Sequence, residues 1–401
     1  MDFLTSLAII FLSALLLSSI CNKLKLPPLL GMLITGIILG PYFLDLISLS
    51  ILDLSFELRT LALIIILTRA GLSINISSLY NKGMPTISLS FIPASLEIIG
   101  YCLLGIFVLK LSLFESLVLG TVMAAVSPAV LIPRMLKIKE LNFGNAKKIP
   151  EILMTSASLE SVFIITLFAA LISANNDGSF SFAIIWQIPV AIILGILVGI
   201  LTGLIVSNTF KLMKIPTNCK LLMLLSISFL FLALEQLIGE RVPYASFLSI
   251  ISMAVILLKK DNLSSKKLSV KYKNLWFFAE IMLFVLIGAN LDFQNLEVSI
   301  LKIILVIGIA LAFRIVGIFI SLFFSQLNKK ERLFCALAFS PKATVQAALA
   351  AIPFSIGIAS GSLILSVAVI AILITAPLGA LFIDLSYPKL LDKDFITNNF
   401  N

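Results

Sequence analysis

The chain has no histidine, only 12% of its 401 residues are charged, and its cysteines number four. Lack of histidine closes the commonest route to metal binding and to acid–base catalysis near neutral pH. Cys21, Cys102, Cys219 and Cys335 are scattered without metal-ligand or redox spacing and read as small apolar residues. No GxxxxGK[ST] phosphate loop occurs, which disfavours a pump driven by nucleotide hydrolysis. With no nucleophile–base arrangement and no ligand cluster, an enzyme is not expected, and no cofactor is implied.

What is abundant is hydrophobic residue, 60% of the chain, with a mean hydropathy of +1.16. Apolar runs of about 20 residues recur, the length that crosses a bilayer core as helix. Sliding windows place helices near 3–21, 28–47, 55–75, 85–109, 114–136, 150–174, 182–208, 220–238, 244–258, 273–291, 299–325, 331–355 and 361–384. The reading is an all-α polytopic membrane protein with thirteen spans. The opening has an acid where the basic region of a signal peptide belongs, so the first helix is expected to be retained.

Charge supports an alternating topology. Lys23, Lys25, Lys82, Arg134, Lys137, Lys139, Lys147, Lys148, Lys211, Lys214, Lys220, the run from Lys259 to Lys273, Lys329, Lys330, Arg332, Lys389 and Lys393 fall on one side. Arg59, Lys110, Arg241 and Lys302 fall on the other. Positive charge marks the cytoplasm, so the N-terminus is expected outside and the C-terminus inside. The net charge of +9 follows from these loops, which would contact anionic lipid, and no nucleic-acid partner is implied. The stretch "KKDNLSSKKLSVKYKN" reads as a solvated linker.

Two predicted spans carry mid-helix Ser-Pro: Ser127-Pro128 in "AAVSPAVLIPRM" and Ser340-Pro341 in "AFSPKATVQAALAAIP". Proline removes a donor, and in lipid the freed carbonyls need partners inside the protein. The spans are the fifth and twelfth, seven apart, so corresponding elements run in opposite directions, as in inverted repeats with midplane binding sites. Glu97, Glu160, Arg314 and Lys342 lie at mid-span, too deep to snorkel, and sum to zero charge. Either they only lock helices together, or at least one acid exchanges a proton for a cation. Arg69, Glu235 and Glu280 lie nearer span ends, where snorkelling to a headgroup explains them.

"LPPLLGMLITGIILGP", "TRAGL", "VSPAVLIP", "FRIVGIF" and "SPKATVQAAL" together resemble the NHA branch of sodium/proton exchangers within the cation/proton antiporter superfamily. The resemblance implies a NhaA-like antiporter fold of inverted repeats with two crossed discontinuous helices, broken at Pro128 and Pro341. Dimer-domain helices would lie in 1–80 and 218–293, core helices in 84–175 and 298–385, a linking helix in 180–210 and a cytoplasmic tail in 386–401. It implies a homodimer working by elevator-like alternating access, with sodium or lithium and protons as transported ions. Glu97 and Arg314 match the family's facing pair and Lys342 its PKATVQ lysine. The adjacent acids of its sixth helix fall on Glu160 and Ser161, so the usual ion-binding aspartate is a serine here. Ser127 and Thr344 join Glu160 and Ser161 as implied ion- or proton-binding residues, with Glu160 and Ser161 holding Na+.

With Glu97 paired to Arg314 and Glu160 to Lys342, every buried acid would be neutralised. Alternatively Glu160, longer than aspartate, alternates between Lys342, a proton and a cation, helped by the Ser161 hydroxyl and by carbonyls freed at the breaks. Electroneutral antiport is then the leading expectation. A same-fold transporter with altered coupling or another substrate is the alternative, and a non-transporting sensor a third. The Ile-, Lys- and Asn-rich composition points to a bacterial inner membrane.

Overall fold

The computed structural model describes residues 1–73, 76–173, 183–213, 215–238, 242–291 and 298–393. These are helical almost throughout; their only β feature is an isolated bridge between Phe143 and Lys393. An apolar chain in lipid must satisfy every backbone group within itself, and helices do so segment by segment. Among the described residues nine helices are long and apolar enough to cross a membrane.

The order is α1 (Phe3–Lys23), α2 (Pro28–Leu39), short α3 (Leu49–Asp53), α4 (Ser55–Ser73), α5 (Ile76–Leu104) with a π-turn at Gly105–Leu109, and α6 (Leu113–Met123). Next come α7 (Pro128–Glu140), α8 (Ile149–Ser173), α9 (Ala183–Leu212), α10 (Thr217–Ile238), α11 (Ser246–Lys260) and α12 (Asn262–Ala289). The last are α13 (Ile300–Ser321), α14 (Lys329–Ala338), α15 (Thr344–Ser355) and α16 (Gly361–Leu390). Inside α5, Gly83 takes a φ of 70°, a conformation only glycine adopts freely, and the helix kinks there.

Among the described residues helix is present within each predicted segment, with residues 74–75, 174 and 182 lying outside the described residues and three differences elsewhere. The predicted 28–47 helix ends at Leu39, because Gly40 is followed by Pro41, which cannot continue it. The predicted 114–136 and 331–355 helices are each two helices separated by an extended stretch. Each pair starts alike, on a reciprocal cap: Ser112 with Glu115 before α6, and Asn328 with Glu331 before α14. Third, most of the basic stretch expected as a linker is the first three turns of α12. The Asp261 carboxylate caps it by accepting from the Ser264 N–H (3.1 Å), and Ser265, Leu268 and Tyr272 face inward while Lys266, Lys267, Lys271 and Lys273 are exposed. That spacing of inward residues is an amphipathic helix period.

The helices pack in two groups. In one, α1 lies on α2, α2 and α4 lie on α12, and α11 packs between α4 and α9 with α10 beside it. In the other, α5 packs on α6, α8 and α13, while α14 and α15 pack on α16 and α7 on α8. The groups meet where α15 touches α4 and α12 and where α8 touches α9 and α11. Within the second group, a Cβ on Gly317 of α13 would lie 2.7 Å from the Pro93 Cα of α5. Only glycine permits that approach, which brings Arg314, one turn away, over Glu97.

Candidate ion site at the crossed breaks

At the first break α6 stops at Met123 and α7 starts with Pro128 at its N1 position. At the second, α14 stops at Ala338 and α15 starts at Thr344. The two extended stretches touch: the Ser127 N–H donates to the Pro341 carbonyl at 2.8 Å. Carbonyls at the ends of α6 and α14 carry the negative end of each half-helix dipole, and cations belong beside them.

Arg314 supplies the first cation. Its Nε donates to the Phe339 carbonyl (2.5 Å) and one Nη to the Ala124 carbonyl (2.5 Å), so a single guanidinium closes both half-helices. The same Nη reaches Glu97 Oε2 at 2.7 Å, and the other Nη lies 2.9 and 2.8 Å from the two Glu160 oxygens. Lys342 Nζ donates to Glu97 Oε2 (2.6 Å) and to the Ala125 carbonyl (3.3 Å). All four charged residues are fully buried. Buried charges are tolerable when paired and hydrogen-bonded, and these two acids and two bases balance.

The pairing differs from the expected one. Glu160 belongs to Arg314 and not to Lys342, while Glu97 takes both cations. The physical reason is the guanidinium fork, whose five donors serve two carboxylates and two carbonyls at once, whereas the ammonium is a point charge that settles on one oxygen. Glu160 Oε2 also accepts from the Val126 N–H at 2.8 Å, which leaves both its oxygens engaged. The freed carbonyls expected as cation ligands are occupied too. Gln346 Nε2 donates to Ala125 (2.6 Å) and Met123 (3.3 Å), and its Oε1 accepts from the Ala343 N–H (2.8 Å).

Beside this cluster lies a cavity of about 610 Å³ between the two helix groups. Pro128 of α7, Ser158 and Ser161 of α8, and Thr344 and Ala348 of α15 line one wall. Leu67 and Arg69 of α4 and Lys273, Trp276 and Glu280 of α12 line the other. Of the residues implied to bind the ion, Ser161 and Thr344 line this cavity, while Glu160 and Ser127 are not among its lining residues. The Ser161 hydroxyl donates to the Ala157 carbonyl at 2.8 Å and keeps its lone pairs. Ser127 Oγ is buried without a protein partner among the described residues. Those residues contain no group of three His, Cys, Asp or Glu side chains able to hold a resident metal.

Three residues expected to snorkel do something else. Arg69 and Glu280 share the cavity, each within Coulomb reach of the other. Glu235 accepts from Ser173 Oγ of α8 at 2.5 Å and from Ser246 Oγ of α11, joining both helix groups through α10. Gln346, in the first turn of α15 and four residues after Lys342 of the extended stretch, is a site residue that the sequence reading does not single out. The signal that could have found the cavity pair is opposite charge on two apolar spans.

A buried, neutral ion-pair cluster holding two interrupted helices beside a polar-floored cavity defines a class, the secondary transporter with midplane breaks. The family model for sodium/hydrogen exchanger transmembrane domains matches residues 8–384, and the chain belongs to that family. It is 31% identical over 385 residues to mouse sodium/hydrogen exchanger 9B2, covering 92% of this chain and 69% of the relative. To the Xenopus tropicalis 9B2 protein it is 33% identical, covering 96% and 74%. Its fold matches the sodium proton antiporter MjNhaP1 of Methanocaldococcus jannaschii with a TM-score of 0.81, 22% identity, and coverage of 97% of this chain and 99% of that one. The protein is thus a multi-pass membrane protein of the cation/proton antiporter superfamily.

Proposed function

We propose that the protein exchanges Na+ or Li+ for H+ by alternating access, one for one and without net charge movement. The observation that carries this reading is the cavity reaching Ser161 and Thr344 at the junction of the two helix groups, next to a charge cluster that is already neutral. A neutral cluster adds no fixed charge to a moving group, so the carried ion and the returning proton can each cross alone. The helices α5–α8 and α13–α16 act as the moving core and α1–α4 with α10–α12 as a dimerising frame, in a thirteen-span inverted-repeat topology with α9 as the link. Oxygen ligands suit a hard cation, by analogy with other hard ions, and Ser161, Thr344 and the unpartnered Ser127 hydroxyl are assigned to it. Glu160 holds Arg314 in place. The basic loops set the N-terminus outside and the C-terminus in the cytoplasm of a bacterial inner membrane.

The test is sodium- and lithium-driven proton flux in proteoliposomes, with and without an imposed potential. Flux independent of voltage is expected; flux that follows the voltage would refute electroneutrality, and no flux with either ion would refute antiport. A second reading, altered coupling, is motivated by Ser161, which brings no carboxylate to the cavity floor. Under it Ser161→Asp creates or sharply raises sodium/proton exchange, and an unchanged rate in well-expressed protein argues against it.

A further inference from the structure

Alternating access requires one face of the junction between the helix groups to be shut while the other is open, and the two faces differ here. The cavity of about 610 Å³ lies toward the lysine-rich loops: Lys273 lines it, and so does Pro133 of α7, which runs on to Lys137 and Lys139. Toward the opposite face, Phe56 and Leu63 of α4 close on Ala348, Ala351 and Ile352 of α15 around about 10 Å³, room for about one water. Two side-chain hydrogen bonds join the groups on this shut side. Arg59 of α4 donates from Nη2 to Ser355 Oγ of α15 at 3.2 Å, and Ser173 Oγ of α8 donates to Glu235 of α10 at 2.5 Å. Both α8 and α10 start beside lysines, so Ser173 and Glu235, near their far ends, belong to the opposite face. The start of α4 is placed there as well, because Asn290, which follows the far end of the lysine-led α12, donates to Ser55 Oγ at 3.4 Å.

We propose that Arg59 and Glu235 are positioning residues of the transport cycle, each holding a hydroxyl of the core and so keeping the junction shut on the face opposite the lysine-rich loops. The inference rests on the alternating-access reading above and names contacts that must break before the site can change sides. In both latches the charge belongs to the frame and the leaving hydroxyl to the core, so core movement drags no charge with it. Each charged group also keeps an anchor inside the frame: Arg59 Nε donates to the Ser55 carbonyl at 3.0 Å, and Glu235 accepts from Ser246 Oγ. Ser355 Oγ donates to the Ala351 carbonyl at 2.8 Å, which leaves its lone pairs for the guanidinium. Arg59 is 5% exposed, and its Nη1 has no partner among the described residues. A buried donor without a partner destabilises the shut state, and water reaching it when this face opens removes that penalty. The Ser355 bond and the packing around it favour closure while the orphan Nη1 favours opening, so the latch is reversible. Deleting the bond leaves the second effect less opposed, and the state open to the other face gains population.

The experiment uses the full chain in lipid nanodiscs, which leave both faces open to a membrane-impermeant thiol reagent, with Cys21, Cys102, Cys219 and Cys335 replaced by alanine. Ala351→Cys reports on the shut wall and Ser158→Cys on the cavity wall. With the latches intact, Ser158→Cys is expected to react fast and Ala351→Cys slowly. Adding Ser355→Ala should speed Ala351→Cys about tenfold or more, the ratio that one charge-assisted hydrogen bond sets, with Ser158→Cys no faster. Ser355→Thr keeps the hydroxyl and should keep the slow rate, while Ser173→Ala should act like Ser355→Ala. A general loosening of the fold would speed both reporters. That result, equal rates in Ser355→Ala and Ser355→Thr, or an Ala351→Cys rate unmoved by Ser355→Ala and Ser173→Ala together would overturn the latches and leave alternating access standing. An Ala351→Cys that never reacts, in any variant, would overturn alternating access and the latches with it. If Ala351→Cys does not fold, Ile352→Cys on the same wall takes its place.

Discussion

At the crossing of the breaks, Glu97, Glu160, Arg314 and Lys342 are sealed from solvent and tied to each other and to the ends of two half-helices. In the cavity, Arg69 and Glu280 are half-buried, on helices α4 and α12, and influence each other without ranking among the direct ion pairs of the described residues. Both sets lie within apolar spans and both combine opposite charges. The difference is commitment. Charges sealed and paired in this way hold a structure, even with Glu97 Oε1 left without a hydrogen-bond partner among the described residues, whereas a carboxylate on a cavity wall can change partner. Depth in the membrane therefore does not by itself distinguish an acid locked into a cluster from one free to change partner.

The sharpest way to break this contrast is Arg314→Met. It removes the only group that serves both acids and both half-helix ends, leaving carboxylates with no counter-charge except Lys342. Breaking a buried pair by deleting one partner costs about 3–5 kcal/mol, and thermal unfolding in detergent should show a loss of that order. Lowering the pH should shrink the deficit, since a protonated acid needs no counter-charge. Arg314→Lys should recover little, because an ammonium cannot span four acceptors. An unchanged midpoint would mean that the cluster does not hold the breaks.

Much of this arrangement was legible in the sequence, and the illegible part has a clear cause. Apolar length and Ser-Pro position located the helices and both breaks, because these are local properties of a chain in lipid. Counting depth along single spans singled out Glu97, Glu160, Arg314 and Lys342 together. Which base meets which acid depends on donor geometry across four helices, and the Glu160–Lys342 pairing failed for that reason. Arg69 and Glu280 read as span-end residues in the sequence because depth along one helix does not reveal a cavity between two. The basic start of α12 reads as a charge run by its lysines, whereas the inward Leu268 and Tyr272, four apart, mark it as helix.

A smaller effect is expected from Lys342→Met. Glu97 keeps Arg314, so the variant loses one charge-assisted hydrogen bond to Glu97 and a weak one to Ala125. Bonds to charged groups contribute about 1.5–3 kcal/mol, and the unfolding midpoint should fall accordingly, by less than in Arg314→Met. Adding Glu97→Gln removes the acid that Lys342 served, so the double variant should be more stable than the sum of the singles predicts. Strict additivity would show that Lys342 and Glu97 do not act as a pair.

The smallest change in stability should come from Arg69→Gln. Half-buried on a cavity wide enough for water, Arg69 exchanges one set of polar contacts for another when it leaves Glu280. Exposed ion pairs contribute about 0–1 kcal/mol, so the unfolding midpoint should barely move. That small loss separates the two regions: a charge that holds the fold reports in stability, and one loosely held on a cavity wall does not. A loss of stability as large as that from Lys342→Met would place Arg69 with the sealed cluster and remove the distinction.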